Sequence, residues 1–317
     1  MSRVGLVLGA GGVVGQAYHA GVLWALEREF GWDARSAEII VGTSAGSVTG
    51  ALLRLGIGPL DLAARDLSQP LTEQGGAIFD RLLPPNLDFP PMRPGHLFRP
   101  WRPPSPALVA RAARRPWAFR PQVAAMTLMP AGTIDLSSRA GPLHDMVGDV
   151  WPEGLWICAA RRTDGARVVF GRAGSPAAPL ATAVVASCAI PGYFSPVAIG
   201  GVEYFDGGVH SPSNANVLRG RRLDVVVVVS PMSAPSRFTG SADGPLRWSL
   251  HRRLVREVAL LQAEGTTVVT IEPGAEARAA MGLNAMAEDR SAQVVRTACH
   301  EVLTYPALLP PLAQLAS

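Results

Sequence analysis

The sequence predicts an α/β protein, a three-layer α/β/α sandwich with a mainly parallel central sheet. Two apolar segments near the start of the chain are each followed at once by a turn of small residues and a helix-like pattern. A run of five valines at 225–229 is continuously β-branched, as expected of a strand buried on both faces. Strands and helices that alternate with short links indicate parallel pairing, because each link crosses one face of the sheet.

The individual elements follow from the same pattern. The expected strands are 3–8, 38–41, 155–159, 168–170, 224–230 and 266–271. The expected helices are 16–29, 45–56, 180–189, 248–262 and 290–302. Gly31 and Gly56 end the first two helices, since glycine commonly follows the last helical turn.

Residues 1–317 are expected to form a single domain, because 48% apolar content over this length suffices for one large core and no repeat is present. Residues 4–26 carry no charged side chain and would be flagged as a membrane span, but several glycines, Gln16 and His19 favour a strand, a turn and a helix. The three scattered cysteines suggest reduced thiols rather than a disulfide framework. We therefore expect a cytoplasmic protein, soluble or peripherally bound to a membrane.

An insertion at about 82–122 departs from this pattern. It holds eleven of the 28 prolines, together with tryptophans, phenylalanines and seven arginines against one acidic residue. The segment is either a surface loop with structural prolines or an interfacial lid, whose aromatic rings would sit at headgroup depth while arginines meet anionic lipid. No recognisable module points to nucleic acid, and the oligomeric state is left open.

Ser44 lies in the motif G-x-S-x-G, between an expected strand and an expected helix. Such an elbow lifts a serine off the top of a sheet on a strained turn, where its hydroxyl is exposed. The strand and helix backbones approach closely there, so Gly42 and Gly46 fit a steric need. The motif also arises by chance in glycine-rich proteins, but its position between strand and helix favours a nucleophile.

A serine nucleophile needs a base, and the better candidate is Asp206, in the segment "VEYFDGGVHSPSNANVL". Gly207 and Gly208 make a sharp turn behind it, which leaves the carboxylate at the lip of the sheet, within reach of Ser44. Aspartate has an ordinary pKa of about 3.9, and partial burial would raise it and make the group more basic. The alternatives are that Asp206 only forms the turn, or that His210 serves as the base.

The glycine-rich turn after the first strand, "LGAGGVVGQ", points several backbone amides at one anionic spot. In a hydrolase this loop would be the oxyanion hole. The rival is a dinucleotide site of the Rossmann type, which requires an acidic residue at the end of the second strand. That strand runs instead into the serine elbow, so the dinucleotide-cofactor interpretation is disfavoured.

The order of glycine loop, G-x-S-x-G elbow and late D-G-G, with "AIPGYFSPV" just before the last, resembles the patatin-like phospholipase family, bacterial type. The resemblance implies a Ser–Asp dyad without histidine, with Ser44 as nucleophile and Asp206 as base. It assigns the oxyanion hole to the amides of Gly11, Gly12 and Val13. It implies hydrolysis of lipid or lysolipid acyl esters, of the phospholipase A or lysophospholipase type, through an acyl-enzyme and without a metal or cofactor.

Two positions depart from the family's glycine loop. Val14 stands where the family commonly carries lysine or arginine, and Ala10 stands where another glycine is usual. The backbone amides remain, but a positive side chain near the site is lost. Two alternatives to hydrolysis stay open, namely an acyltransferase on the same dyad and a catalytically silent lipid-binding or regulatory module.

Overall fold

An eight-stranded sheet runs through the computed structural model, which describes residues 2–82, 105–114, 121–236 and 241–304. The strands are β1 (Val4–Leu8), β2 (Ile39–Thr43), β3 (Leu155–Arg161), β4 (Arg167–Phe170), β5 (Val197–Ile199), β6 (Val202–Asp206), β7 (Val225–Val229) and β8 (Thr267–Ile271). Their order is β5–β6–β3–β2–β1–β7–β8, and β4 pairs with β3 beside this path. The predicted α/β fold class is confirmed.

The sheet is parallel from β3 through β2, β1 and β7 to β8. Beyond that it is antiparallel, because β4 and β6 both run against β3, and β5 runs against β6. The hairpin β5–β6 is absent from the expected strands. Its turn is Gly200–Gly201, with φ of 57° and 76°, the left-handed conformation that a two-residue hairpin turn requires.

The described residues form eleven α-helices. They are α1 (Gly12–Phe30), α2 (Ala45–Arg54), α3 (Pro59–Asp66), α4 (Glu73–Leu82), α5 (Pro106–Arg114), α6 (Pro121–Leu128), α7 (Gly141–Val147), α8 (Leu180–Ser187), α9 (Gly244–Gln262), α10 (Ala275–Met281) and α11 (Ser291–Thr304). The first helix begins four residues earlier than expected, directly after the glycine turn. It ends at Gly31 as expected, with φ of 63°.

The helices cover both faces of the sheet. Leu6 and Leu8 of β1 pack into the larger apolar cluster, to which α1, α2, α8 and α11 contribute. Val7 faces the opposite side, where the smaller cluster includes Leu254 and Val258 of α9. Alternate residues of one strand thus pack into two separate apolar clusters. Because both faces of the strand are buried, its sequence is a continuous apolar run.

The uncharged segment at 4–26 forms β1, the glycine turn and most of α1. Charged residues do not interrupt it because the strand is fully buried and the helix buries most of its side chains. Within the part of the chain that the structure describes, no helix combines the length and the apolar character needed to cross a bilayer.

Most of the proline-rich insertion lies outside the described residues, including its tryptophans and phenylalanines. Of the segment at 82–122, the structure describes Leu82, residues 105–114 and the start of α6. Leu108 of α5 is buried. Ser105, just before this helix, donates a hydrogen bond from its hydroxyl to the carbonyl of Thr163. The choice between a surface loop and a lid therefore stays a prediction.

Candidate active site

Ser44 occupies the junction between β2, which ends at Thr43, and α2, which begins at Ala45. Its φ and ψ are 52° and −119°, a conformation that residues with a Cβ rarely adopt. Backbone strain of this kind persists where the surrounding structure enforces it, and it clusters at functional sites. The predicted strand–turn–helix elbow is therefore present at Ser44.

Two flanking glycines permit the turn. A Cβ on Gly46 would fall inside the carbonyl oxygen of Leu8, on the neighbouring strand. A Cβ on Gly42 would lie 2.5 Å from the carbonyl oxygen of Gly46 and 2.6 Å from Cα of Ser47. Both contacts involve backbone, which cannot move aside cheaply, so neither position accepts a side chain.

Neutral side chains hold the Ser44 backbone in place. Its amide donates to the hydroxyl of Ser187 at 2.9 Å, and that hydroxyl donates to the carbonyl of Cys158 at 2.7 Å. The hydroxyl of Ser47 donates to the carbonyl of Ser44 at 2.7 Å. Sequence reasoning missed Ser187, since a serine at the end of a buried helix carries no local signal of such a contact.

Asp206 is the last residue of β6, and the sheet register brings it to Ser44. Thr43 pairs with Cys158 of β3, and Asp206 pairs with Ala159, the next residue of the same strand. The Ser44 side chain lies close enough to the Asp206 carboxylate to lower the pKa of that group. Each of these two residues is only 5% exposed.

Burial makes the Asp206 carboxylate unusually basic. Loss of solvation raises its pKa to about 6 from an ordinary value of 3.8. The nearby Ser44 side chain and the hydrogen bond from the Gly208 amide, at 2.7 Å, lower the pKa but do not cancel the effect. A carboxylate of this kind is a competent proton acceptor near neutral pH.

The two glycines after Asp206 support the turn in different ways. A Cβ on Gly207 would fall inside the carbonyl oxygen of Cys158 and lie 3.1 Å from Cγ2 of Thr43. Gly208 supplies the amide that binds Oδ1 of Asp206. The first glycine therefore lets Asp206 approach β3, and the second holds its carboxylate.

The glycine turn after β1 presents amides at the start of α1. The amides on either side are occupied, since Ala10 donates to the carbonyl of Pro212 at 2.9 Å and Val14 donates to that of Ala285 at 3.2 Å. Among the described residues, the amides of Gly11, Gly12 and Val13 have no acceptor. They lie at the positive end of a 19-residue helix, where an oxyanion is stabilised.

A cavity of about 670 Å³ opens onto Ser44, Gly12 and Val13. Its other walls are mainly apolar, formed by Val48, Ala51, Leu52, Leu55, Leu82, Leu136, Leu143, Val184, Val185, Ile190, Phe194 and Met286. The size and apolar lining are typical of a small-molecule site with a few convergent polar groups.

Charged side chains contribute a smaller part of the cavity wall, namely Arg65, Asp66, Arg139 and Glu288. Burial raises the pKa of Asp66 to about 6, and nearby Glu288 adds to the shift. Burial lowers the pKa of Arg139. The cavity thus offers both signs of charge together with its apolar surface.

His210, the alternative base, lies elsewhere. Its ring faces the carbonyl of Gly165 at 3.5 Å, and it does not line the cavity that holds Ser44. Val14, the departure in the glycine loop, is buried in the larger apolar cluster. An apolar side chain at that position fits its surroundings in this protein.

The fold and site define an α/β protein with a serine elbow, a neighbouring buried carboxylate and free helix-terminal amides over an apolar cavity. The model of the Patatin family, described as patatin-like phospholipase, matches residues 6–219, and the chain belongs to this family. The resemblance noted from the motifs is thereby confirmed, and membership implies lipid acyl hydrolase activity.

Among solved structures, the chain is similar to VipD from Legionella pneumophila, with 14% identity and a TM-score of 0.45. The similarity covers 100% of this chain and 67% of that one. Comparison with curated proteins gave no match. Residues beyond 219, outside the family match, supply β7 and β8 to the same sheet.

Proposed function

We propose that this protein is a serine lipid acyl hydrolase of the phospholipase A or lysophospholipase type. Ser44 is the nucleophile and Asp206 the base of a two-residue catalytic site. The observation that carries the proposal is the buried Asp206 carboxylate with its raised pKa, which the sheet register brings close to the Ser44 side chain, together with the amides at the start of α1 that have no acceptor among the described residues. Ser44 also lines the apolar cavity, where an acyl chain would lie.

The chemistry follows from these groups. Asp206 accepts the Ser44 proton as the oxygen attacks the ester carbonyl, and the resulting oxyanion accepts hydrogen bonds from the amides of Gly11, Gly12 and Val13. Asp206 then gives the proton to the departing alcohol, which leaves an acyl-enzyme. Water, deprotonated by the same carboxylate, releases the fatty acid. One oxyanion donor typically contributes about 10²–10³ in rate.

The apolar cavity supports a fatty-acyl substrate rather than a small polar ester. Each buried methylene stabilises a bound chain by about 0.8 kcal/mol, which corresponds to about a fourfold gain in affinity. We therefore expect kcat/KM to rise with acyl chain length until the chain fills the cavity of about 670 Å³. A series of p-nitrophenyl esters of increasing length measures this dependence.

Two substitutions test the proposed dyad. Ser44→Ala and Asp206→Asn should each abolish hydrolysis of a medium-chain ester, while Ser249→Ala, at an exposed position on α9, serves as the control serine. A fluorophosphonate probe should label the wild type and the control but not Ser44→Ala. Turnover retained in either dyad variant refutes the dyad, and an unlabelled, inactive wild type indicates a silent lipid-binding module.

We also propose that the insertion at 82–122 contacts lipid surfaces, on the strength of its aromatic and arginine-rich composition. Replacing Phe98 and Trp101 by serine should weaken binding to vesicles that contain anionic lipid. Hydrolysis of a short soluble ester should be unchanged. Equal losses on vesicles and on the soluble ester would argue against a membrane role. The cytoplasmic location stays a prediction.

We further propose that the chain is a single domain. β7 follows the matched residues yet pairs directly with β1, near the other end of the chain. A single unfolding transition, seen at the same denaturant concentration by circular dichroism and by tryptophan fluorescence, would agree with this; two separate transitions would not.

A further inference from the structure

Asn214 lies outside the cavity but connects the two segments that carry Ser44 and Asp206. It is fully buried, and its φ of 54° is left-handed, which asparagine tolerates better than most residues. Its Nδ2 donates to the hydroxyl of Thr43 at 3.0 Å and lies 3.4 Å from the carbonyl oxygen of Gly207. Thr43 directly precedes Ser44, and Gly207 directly follows Asp206.

The orientation of the Asn214 amide is set by a charged partner. Nη1 of Arg167 donates to Oδ1 of Asn214 at 3.1 Å and to Oδ1 of Asn216 at 2.6 Å. A guanidinium has no acceptor, so it fixes the amide oxygen on its own side and directs the amide nitrogen toward Thr43. A charged donor on the oxygen also polarises the amide and strengthens its N–H groups as donors.

The loop around Asn214 is anchored independently. Glu257 of α9 is buried, and its Oε2 accepts hydrogen bonds from the Ser213 hydroxyl and the Ala215 amide, each at 2.8 Å. Nδ2 of Asn214 also donates to the carbonyl of Ser211 at 2.5 Å. The residues on both sides of Asn214 are thus held, and its side chain has a fixed position from which to act.

We infer that Asn214 is a positioning residue that fixes the separation between the Ser44 hydroxyl and the Asp206 carboxylate. The inference rests on the proposed function. Thr43 ends β2 and Gly207 follows β6; these two strands lie on opposite sides of β3, and a Cβ on Gly207 would lie 3.1 Å from Cγ2 of Thr43. The Asn214 amide donates to Thr43 at the end of β2 and lies against the carbonyl of Gly207 in the turn after β6. A misplacement of about 1 Å in a catalytic pair costs on the order of 10²-fold in rate, so these contacts should govern kcat.

The test uses isosteric changes in the full-length protein. Thr43→Val removes the acceptor and keeps the shape of the side chain, whereas Thr43→Ser keeps the hydroxyl. Asn214→Gly removes the amide without straining the left-handed backbone. Asn216→Ala is the matched control, because it also removes an acceptor from Arg167, and the structure shows no hydrogen bond from it to the segments that carry Ser44 or Asp206.

We expect Thr43→Val and Asn214→Gly each to lower kcat on a short soluble ester by about 100-fold with little change in KM. The rate of fluorophosphonate labelling should fall in parallel. Thr43→Ser and Asn216→Ala should stay within about threefold of the wild type. The double variant of Thr43→Val with Asn214→Gly should be little worse than either single variant, because both remove the same bond.

Three outcomes would overturn the inference. These are a wild-type kcat in folded Thr43→Val, equal losses in Thr43→Val and Thr43→Ser, and multiplicative losses in the double variant. If Asn214→Gly does not fold, the two Thr43 variants decide the question alone. An inactive wild type would instead refute the proposed function, so the two failures can be distinguished.

Discussion

The pKa of Asp206 determines where the proposed enzyme should lose activity on acidification. Burial raises this pKa to about 6, and only the carboxylate form can accept the Ser44 proton. At pH 5 a group with this pKa is about nine-tenths protonated, so kcat/KM should be about a tenth of its plateau. Each further pH unit should cost about another factor of ten.

A second carboxyl group with the same pKa complicates the measurement. Asp66 lines the cavity, and burial also raises its pKa to about 6. The assay is therefore kcat/KM for an uncharged short ester between pH 4.5 and 8.5, for the wild type and for Asp66→Asn. If Asp206 is the base, the acid limb should remain in Asp66→Asn with its midpoint near pH 6.

Two results would refute this reasoning. A wild-type rate that stays flat down to pH 4.5 would show that no group with a pKa of about 6 accepts the proton. If the acid limb disappears in Asp66→Asn, the titrating group is the Asp66 carboxyl in the cavity wall and not Asp206. Circular dichroism at each pH serves as the control, since a limb caused by unfolding would coincide with loss of the folded signal.

Three further predictions concern stability. The folded-state pKa of Asp206 lies above its unfolded value, so the folded protein loses stability as pH rises from about 4 to 6. Asp206→Asn should therefore be more stable than the wild type at pH 7, by up to about 3 kcal/mol. Urea titrations at several pH values should show this gain vanish near pH 4. Gly46→Ala should destabilise the fold by about 3 kcal/mol or more, because the added methyl group would overlap the Leu8 carbonyl. Gly76→Ala is the control, since its methyl group would meet nothing within 4 Å. In the same titrations this control should be neutral or stabilising by up to about 1 kcal/mol. Burial lowers the pKa of His19 to about 3. Below about pH 6 this residue should therefore reduce the free energy of unfolding of the wild type by about 1.4 kcal/mol per pH unit. His19→Gln should lack this contribution when its free energies of unfolding at pH 7 and pH 5 are compared with those of the wild type.

Local sequence signals were sufficient for the centre of the fold. The continuous valines of β7, the elbow at Ser44 and the glycine turn before α1 are each specified by residues within a few positions of one another. The hairpin β5–β6 was missed although Gly200–Gly201 is a strong local turn signal, because each strand is only three to five residues long. The early start of α1 was missed because glycine is a poor helix former.

The contacts that complete the site could not be read from the sequence. Ser187 meets the Ser44 amide across 143 positions, and Asn214 meets Thr43 across 171 positions. Serine and asparagine in such places are common in loops and helix ends, so composition and spacing do not distinguish them. The sheet register, through Cys158 and Ala159 of β3, brings together the strand ends that carry Thr43 and Asp206, and Ser187 and Asn214 contact these ends from elements outside the sheet.

The neutral partners of Asp206 fit the proposal that this carboxylate is the base. Within the described part of the chain, burial raises the pKa of Asp206, the Ser44 side chain and the Gly208 amide lower it only in part, and no cation is among the causes. A lysine or arginine beside the carboxylate would lower its pKa and remove its basicity. Hydroxyls and amides hold the site instead. The charged Arg167 donates to the amide oxygen of Asn214, so the Asn214 side chain lies between this charge and Thr43. The burial that destabilises the folded protein is thus the same burial that makes Asp206 able to accept a proton.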